Sequence, residues 1–274
     1  MQDSGPHDVE RRRLLHTVGV SAIGVAIFGV VAASCSSDET TASTSSSTTT
    51  GAGPATTAAA IATTTTTATV VTTTTSPVTE LVSSKRVNLD FVSAYVIDRG
   101  DGLVVIDTGV GGSAPAIHAA IEEYGKSWAD VGYVVATHKH GDHVGSLGAV
   151  LALATDADVF AGVSDIPDIS SRRSITPLAE GDLVNGIQTI ATPGHTPGHI
   201  SLLDPDIGLF TGDALNGASG GVTGPNPGFT PDLDTAHLSV KKLATFTYEQ
   251  AFFGHGEPVL VGASDAVSVL AGSL

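Results

Sequence analysis

The chain has 274 residues, with 12 Lys plus Arg against 28 Asp plus Glu and a formal net charge of -16 at pH 7. That balance excludes a nucleic-acid binder, which needs a basic face for phosphate, and excludes adhesion to anionic lipid through a polybasic patch. A single Cys excludes an intramolecular disulfide framework.

In chain order, residues 1–34 read as an export signal. Arg11, Arg12 and Arg13 give a positive start, an apolar run extends from Leu14 to Ala33, and Ala32-Ala33-Ser34 precede Cys35. The Arg residues followed by Leu14-Leu15 resemble a twin-arginine signal. Ala32-Ala33-Ser34-Cys35 resembles a lipoprotein cleavage box, which implies a lipidated Cys35 and a membrane tether. The competing reading is an uncleaved N-terminal anchor, for which the 16 residues from Val18 to Ala33 are short; about 20 span a bilayer. Both readings place the remainder outside the cytoplasmic membrane, on the cell-surface or periplasmic side.

Residues 35–82 read as a disordered stalk. Of the 44 residues from 36 to 79, 26 are Ser or Thr, with no apolar periodicity. Such a segment cannot bury enough apolar surface to offset chain entropy. Its Ser/Thr density beside Pro54 and Pro77 suits O-glycosylation.

Residues 83–274 are long enough for one sizeable core. A strand over Val87–Ile97, turn chemistry at Arg99–Gly102 and a strand over Leu103–Ile106 predict a hairpin. Ser113 is placed to cap a helix reaching about Tyr124, with Ile117, Ala120 and Ile121 on one face. A buried strand over Gly132–Ala136 leads into a His-rich segment, then a helix over Val144–Ala154 and a strand at Val159-Phe160. Leu183–Ala191 reads as a hairpin with Asn185-Gly186 as its turn. Strands over His199–Leu203 and Gly208–Thr211 follow, then a Gly-rich stretch from Asn216 to Gly228 without helix or strand. Long loops of that kind are often functional, so this stretch is expected to wall a pocket. A helix over Thr235–Phe246, a strand over Ala251–Phe253 and a helix over Ala263–Leu270 complete the chain. Hairpins interspersed with helices predict sheets packed together with helices outside.

The chemistry falls at strand ends. Thr137–His143 reads T-H-K-H-G-D-H and concentrates three His and one Asp straight after an apolar strand. His138 and His140, at i and i+2, point two imidazoles to one side of an extended loop, while Asp142 and His143 face a second point. Imidazole suits zinc and a carboxylate adds a hard oxygen. His195 in T-P-G-H-T-P-G-H, Asp213 in F-T-G-D and His255 in F-F-G-H-G also fall where strands end, each beside a Gly that lets the backbone turn. His199 opens a strand and reads as a core hydrogen-bonding residue. His118 and His237 read as surface residues of helices, and Lys139 as a solvated side chain.

The order His138, His140, Asp142, His143, His195, Asp213, His255 resembles the metallo-β-lactamase superfamily pattern of H-x-H-x-D-H followed by His, Asp and His. The resemblance covers Val87 to the C-terminal helix. It implies an α/β, four-layer αββα sandwich with a metal site at one sheet edge. By that resemblance His138, His140 and His195 hold a first zinc ion, Asp142, His143 and His255 hold a second, and Asp213 bridges them. Asp107 matches the family's strand-end Asp, which supports the ligand loop. The implied chemistry is hydrolysis by a hydroxide bridging two Zn2+ ions, with Asp142 orienting the nucleophile. A bridging carboxylate at Asp213 resembles the glyoxalase II and lactonase branch, which implies a small ester, thioester or lactone substrate. Competing readings are a mononuclear-iron persulfide dioxygenase holding one Fe2+, a β-lactamase, and a non-catalytic metal-binding surface module.

Overall fold

A computed structural model describes residues 83–219 and 221–274. The expected signal over 1–34, with Cys35, and the expected stalk over 35–82 lie outside the described residues. Three antiparallel strands open the fold: β1 (Ser83–Leu89), β2 (Val92–Asp98) and β3 (Leu103–Ile106). Helix α1 (Ala114–Glu122) carries the chain to β4 (Val131–Ala136), then α2 (Gly141–Val144), α3 (Leu147–Leu153), β5 (Asp158–Gly162) and β6 (Thr176–Leu178). The six strands pair in the order β1-β2-β3-β4-β5-β6, parallel from β3 to β6.

A second sheet is built from β7 (Leu183–Val184), β8 (Ile187–Ala191), β9 (Ile200–Asp204), β10 (Gly208–Phe210) and a late strand at Ala251–Phe252. Between β10 and that strand lie a ribbon of β11 (Asn216–Ala218) with β12 (Gly221–Thr223), and helix α4 (Leu233–Leu243). The strand at Ala251–Phe252 is β13, and α5 (Ala263–Ala271) closes the chain. The order in the second sheet is β13-β10-β9-β8-β7.

Period-two alternation sorts the strand residues into layers, because successive side chains point to opposite faces. In β2 and β3, Ala94, Val96, Leu103 and Val105 face outward onto α1 and α3, where they meet Ile117, Ile121, Leu147 and Val150. Their neighbours Tyr95, Ile97, Val104 and Ile106 face the second sheet and meet Ile187, Ile200, Leu202 and Phe210. The second sheet's other face, with Ile190 and Leu209, packs on Val240 and Leu243 of α4 and Val267 of α5. Three apolar layers therefore lie between helix, sheet, sheet and helix, the expected αββα sandwich. Among the described residues no helix is long and apolar enough to cross a membrane.

Three expected elements differ. The strand over Val87–Ile97 is two strands, broken at Asp90-Phe91 so that Leu89 pairs with Val92. Asp90 takes φ +69, a left-handed conformation that Asp tolerates better than most residues, so no Gly was needed to mark the turn. The helix over Val144–Ala154 is divided into α2 and α3. Ser146 sits at the division: its Oγ donates to Val110 O at 2.6 Å and accepts from Ser113 N–H at 2.7 Å. The stretch from Asn216 to Gly228 is not strand-free, because β11 and β12 form a ribbon within it. The Asn185-Gly186 turn joins β7 to β8, with φ +47 and +81 at the two residues as a type I′ hairpin requires.

Candidate metal centre

Loops leaving five strands bring the chemistry together. β3 runs into Asp107, β4 into Thr137–His140, β8 into Thr192–His199, β10 into Thr211–Asp213 and β13 into Phe253–His255. His138 lies in a bend and His140 on extended backbone, but Asp142 and His143 lie in the short helix α2 rather than in a continued loop. That helical turn is what separates the second pair of side chains from the first.

The first cluster is all imidazole. His138 Nε2 stands 3.1 Å from His140 Nδ1, and His195 Nε2 stands 2.9 Å from the same nitrogen. His138 and His195 are buried and His140 is half-buried. The second cluster comprises Asp142, His143 and His255. His255 Nε2 lies 3.4 Å from Asp142 Oδ2, and His143 Nε2 lies 3.8 Å from it.

Asp213 belongs to both. Its Oδ2 is 3.3 Å from His195 Nε2 and 3.2 Å from His255 Nε2, while its Oδ1 is 3.2 Å from His143 Nε2. His143 Nε2 and Asp213 Oδ1 are buried and, although close, do not align as a hydrogen bond. Buried polar atoms seldom go without a partner, and two lone-pair atoms facing one point fit a shared cation. The donor set, imidazoles plus carboxylates, is the set a zinc ion takes.

The far nitrogens are fixed by the fold. His143 Nδ1–H donates to Asp107 Oδ2 at 2.7 Å, His195 Nδ1 pairs with Thr230 Oγ1 at 3.1 Å, and His255 Nδ1–H donates to Phe91 O at 2.5 Å. Each bond leaves Nε2 as the atom aimed inward, which sets tautomer and ring orientation. Asp107 also accepts from Thr137 N–H and Thr137 Oγ1, both at 2.8 Å, so it braces the segment before His138 as well as His143. Asp107 itself takes φ +58.

Two glycines make room. Gly212 takes φ +53, and a Cβ there would meet His199 Nε2 and Thr137. Gly254 has an ordinary φ, so its need is space: a Cβ would collide with Asp213 Oδ1 and the His143 ring. His199 is a core residue, as its strand position suggested. Its Nδ1 meets Thr192 Oγ1 at 2.8 Å and its Nε2 accepts from Asp213 N–H at 2.9 Å, which locks the backbone of Asp213.

The two clusters differ in charge. Burial, aided by the neighbouring imidazoles, holds His138 well below the usual imidazole value and brings His195 to about 4. Burial likewise brings His199 to about 3. In the second cluster burial opposes charge on His143, but Asp107 and Asp213 outweigh it and raise the value. Donation to the carboxylates of Asp142 and Asp213 raises His255 to about 10. The same contact with His255 lowers Asp142.

Three contributors carried no pattern in the sequence. Asp165 is fully buried, and its two oxygens accept from Lys139 N–H at 3.1 Å, Thr196 Oγ1 at 2.6 Å and Gly198 N–H at 2.8 Å. It therefore ties the segment holding His138 and His140 to the loop holding His195. Thr230 sits 35 residues from the His195 it contacts. His237 is no free surface residue: it lines, with Asp142, Asp213 and His255, a cavity of about 1010 Å³ whose other wall runs through Asn216 and residues 223–227 to Phe229. Lys139 is ion-paired to Asp168 rather than free in solvent.

A profile of the metallo-beta-lactamase superfamily matches residues 87–160 and 177–255. The chain is 28% identical over 202 residues to the probable metallo-hydrolase YflN of Bacillus subtilis (strain 168), covering 57% of this chain and 76% of that protein. It is 27% identical over 177 residues to the thioesterase pkgB of Emericella nidulans, covering 64% of this chain but only 48% of that protein. Among solved structures, a metallo-beta-lactamase family protein from Thermus thermophilus aligns with a TM-score of 0.55 at 21% identity, over 70% of this chain and 78% of that one. The Rm3 metallo-beta-lactamase aligns with a TM-score of 0.56 at 20% identity, over 69% and 87%. At these identities the structural likeness concerns the fold alone.

Proposed function

Because this chain belongs to the metallo-beta-lactamase superfamily, we propose that its two clusters hold two zinc ions and that the protein hydrolyses a small ester, thioester or lactone. The observation that carries this reading is Asp213, whose Oδ2 lies 3.3 Å from His195 of the first cluster and 3.2 Å from His255 of the second, with Oδ1 3.2 Å from His143. A carboxylate so placed suits a bridge between two ions. His138, His140 and His195 would hold the first ion, and Asp142, His143 and His255 the second. The two relatives, a probable metallo-hydrolase and a thioesterase, support hydrolysis.

Divalent ions bound there supply Lewis-acid polarisation of a carbonyl and an acidified water at neutral pH. The chain's own residues do the rest. Asp107, Thr230 and the Phe91 carbonyl hold three imidazoles in the tautomer that turns Nε2 inward. His199 fixes Asp213 through its backbone. Asp142, half-buried in the cavity lining, would orient an attacking water. No Ser or Cys nucleophile is required.

A panel of simple esters, thioesters and lactones tests the reading on the full-length protein. Turnover of at least one class, lost on Asp213→Ala, is expected. An absence of hydrolysis across the panel in zinc-loaded protein contradicts it. Oxygen uptake with a persulfide would instead support the one-iron reading. The reading also places the domain outside the cytoplasmic membrane, tethered through a lipid on Cys35. Cys35→Ala should then release the protein from the membrane fraction and abolish fatty-acid labelling; unchanged membrane fractionation would refute the lipid tether in favour of the uncleaved anchor.

A further inference from the structure

Away from the two clusters, the described lining of the cavity offers no Lys or Arg to receive an anionic substrate. Its walls are apolar or neutral: Phe91, Pro225, Pro227 and Phe229, with Asn216 and Asn226. Among the described residues no Lys or Arg lines it. Phe91 and Phe229 are 60% and 69% exposed, large apolar faces turned to solvent at the cavity. Phe91 stacks on His255 with ring centroids 6.2 Å apart and planes 9° apart, so its ring is held beside the second cluster.

Among the described residues, the two cations that adjoin the ligand segments are already engaged. Lys139, between His138 and His140, pairs with Asp168. Arg86 donates to Glu257 Oε2 at 2.6 Å and to Gly256 O at 2.9 Å, next to His255. Residues from Ser83 onward carry 22 acidic and 9 basic side chains, a net -13. That field repels an approaching anion, and an anion seated away from the metal clusters meets no partner charge.

Resting on the hydrolase reading, we propose that the substrate is an uncharged ester, thioester or lactone whose acyl or alcohol part is an apolar group received between Phe91 and Phe229. A substrate with distal carboxylates is disfavoured by the same walls. His237, the cavity's titratable side chain outside the two clusters, is left to contact the neutral end of such a substrate.

Two matched esters test this, identical except for a methyl or a carboxylate at the distal end of the acyl chain. A matched pair of amides serves for binding by calorimetry. The neutral ester should show kcat/KM about tenfold or more above its carboxylate twin, because an unpaired charge is excluded more strongly than a methyl. Phe229→Arg should narrow that gap by about tenfold relative to Phe229→Ala, by offering the missing cation. Equal or faster turnover of the carboxylate ester, or a gap that Phe229→Arg leaves unchanged, overturns the inference. If neither ester is hydrolysed, the amides decide the inference, while the wider panel decides the hydrolase reading: tighter binding of the neutral amide supports the inference, and equal or weaker binding overturns it.

Discussion

The two ligand clusters are built from the same residue types by different physics. The first is buried imidazole, braced from behind by Thr230 and by the carboxylate of Asp165. Its His138 and His195 are held neutral by burial, so their lone pairs are available at pH 7. The second mixes the partly exposed Asp142 and His255 with the buried His143, and carboxylate contacts raise the proton affinity of both imidazoles. The first cluster can take an ion without losing a proton; the second has to release protons to take one. Asp213, which faces both, couples them.

Asp213→Ala gives the largest expected effect because it strikes both clusters. Activity should fall by more than about 100-fold, beyond the 10–100-fold typical of changes behind the ligands. Retained activity would mean that the clusters act independently.

The supporting carboxylates separate the clusters. Asp165→Asn puts an amide NH2 where three donors converge, so the first cluster should lose about 10–100-fold in metal affinity. Asp204, buried and paired with Arg99 away from the ligands, is the control. Asp204→Asn should lower the melting temperature yet leave metal affinity unchanged. Equal loss of metal affinity in both variants would reduce Asp165 to a generic core residue. Asp107→Asn should mainly weaken the second cluster through His143, read as loss of the weaker of two binding steps in a zinc titration.

Protons sharpen the comparison further. Loading the second cluster must displace a proton from His255, whose value lies at about 10, so its affinity should climb with pH from 6 to 9. Loading at His195, at about 4, should be nearly flat over that range. Stability of the metal-free chain follows a related sign. His195 and His199 are neutral when folded and protonate below about 6.5 when unfolded, so stability is lost as pH falls from 6.5 toward 4 and 3. His143 and His255 have raised values, so their contribution is full below 6.5 and is lost as pH rises through about 10 for His255. Melting curves of chelated protein from pH 4 to 10 check both limbs, and a flat profile would contradict the charge assignment.

Much of this was legible in the chain because its signals are local. The T-H-K-H-G-D-H segment, the Asn185-Gly186 turn and the apolar periods of α1 and α5 need only neighbours to be read. What was missed depends on distance or on permissive residues. Asp90 turns the chain without a Gly, so two strands read as one. Ser146 divides a helix by reaching Val110 and Ser113 more than 30 residues away. Asp165 looks like an ordinary turn residue two positions before Pro167, and only the fold brings Lys139, Thr196 and Gly198 to it. His237 sits in a helix whose sequence gives no hint that one side closes over a cavity.

The most direct test of the shared-centre account is a metal count on the intact, chelator-stripped and zinc-reloaded protein, by elemental analysis with a titration alongside. Two zinc ions per chain, bound in two steps of which Asp213→Ala weakens both, is the predicted result. One ion per chain, or two ions whose binding is indifferent to Asp213, would contradict it.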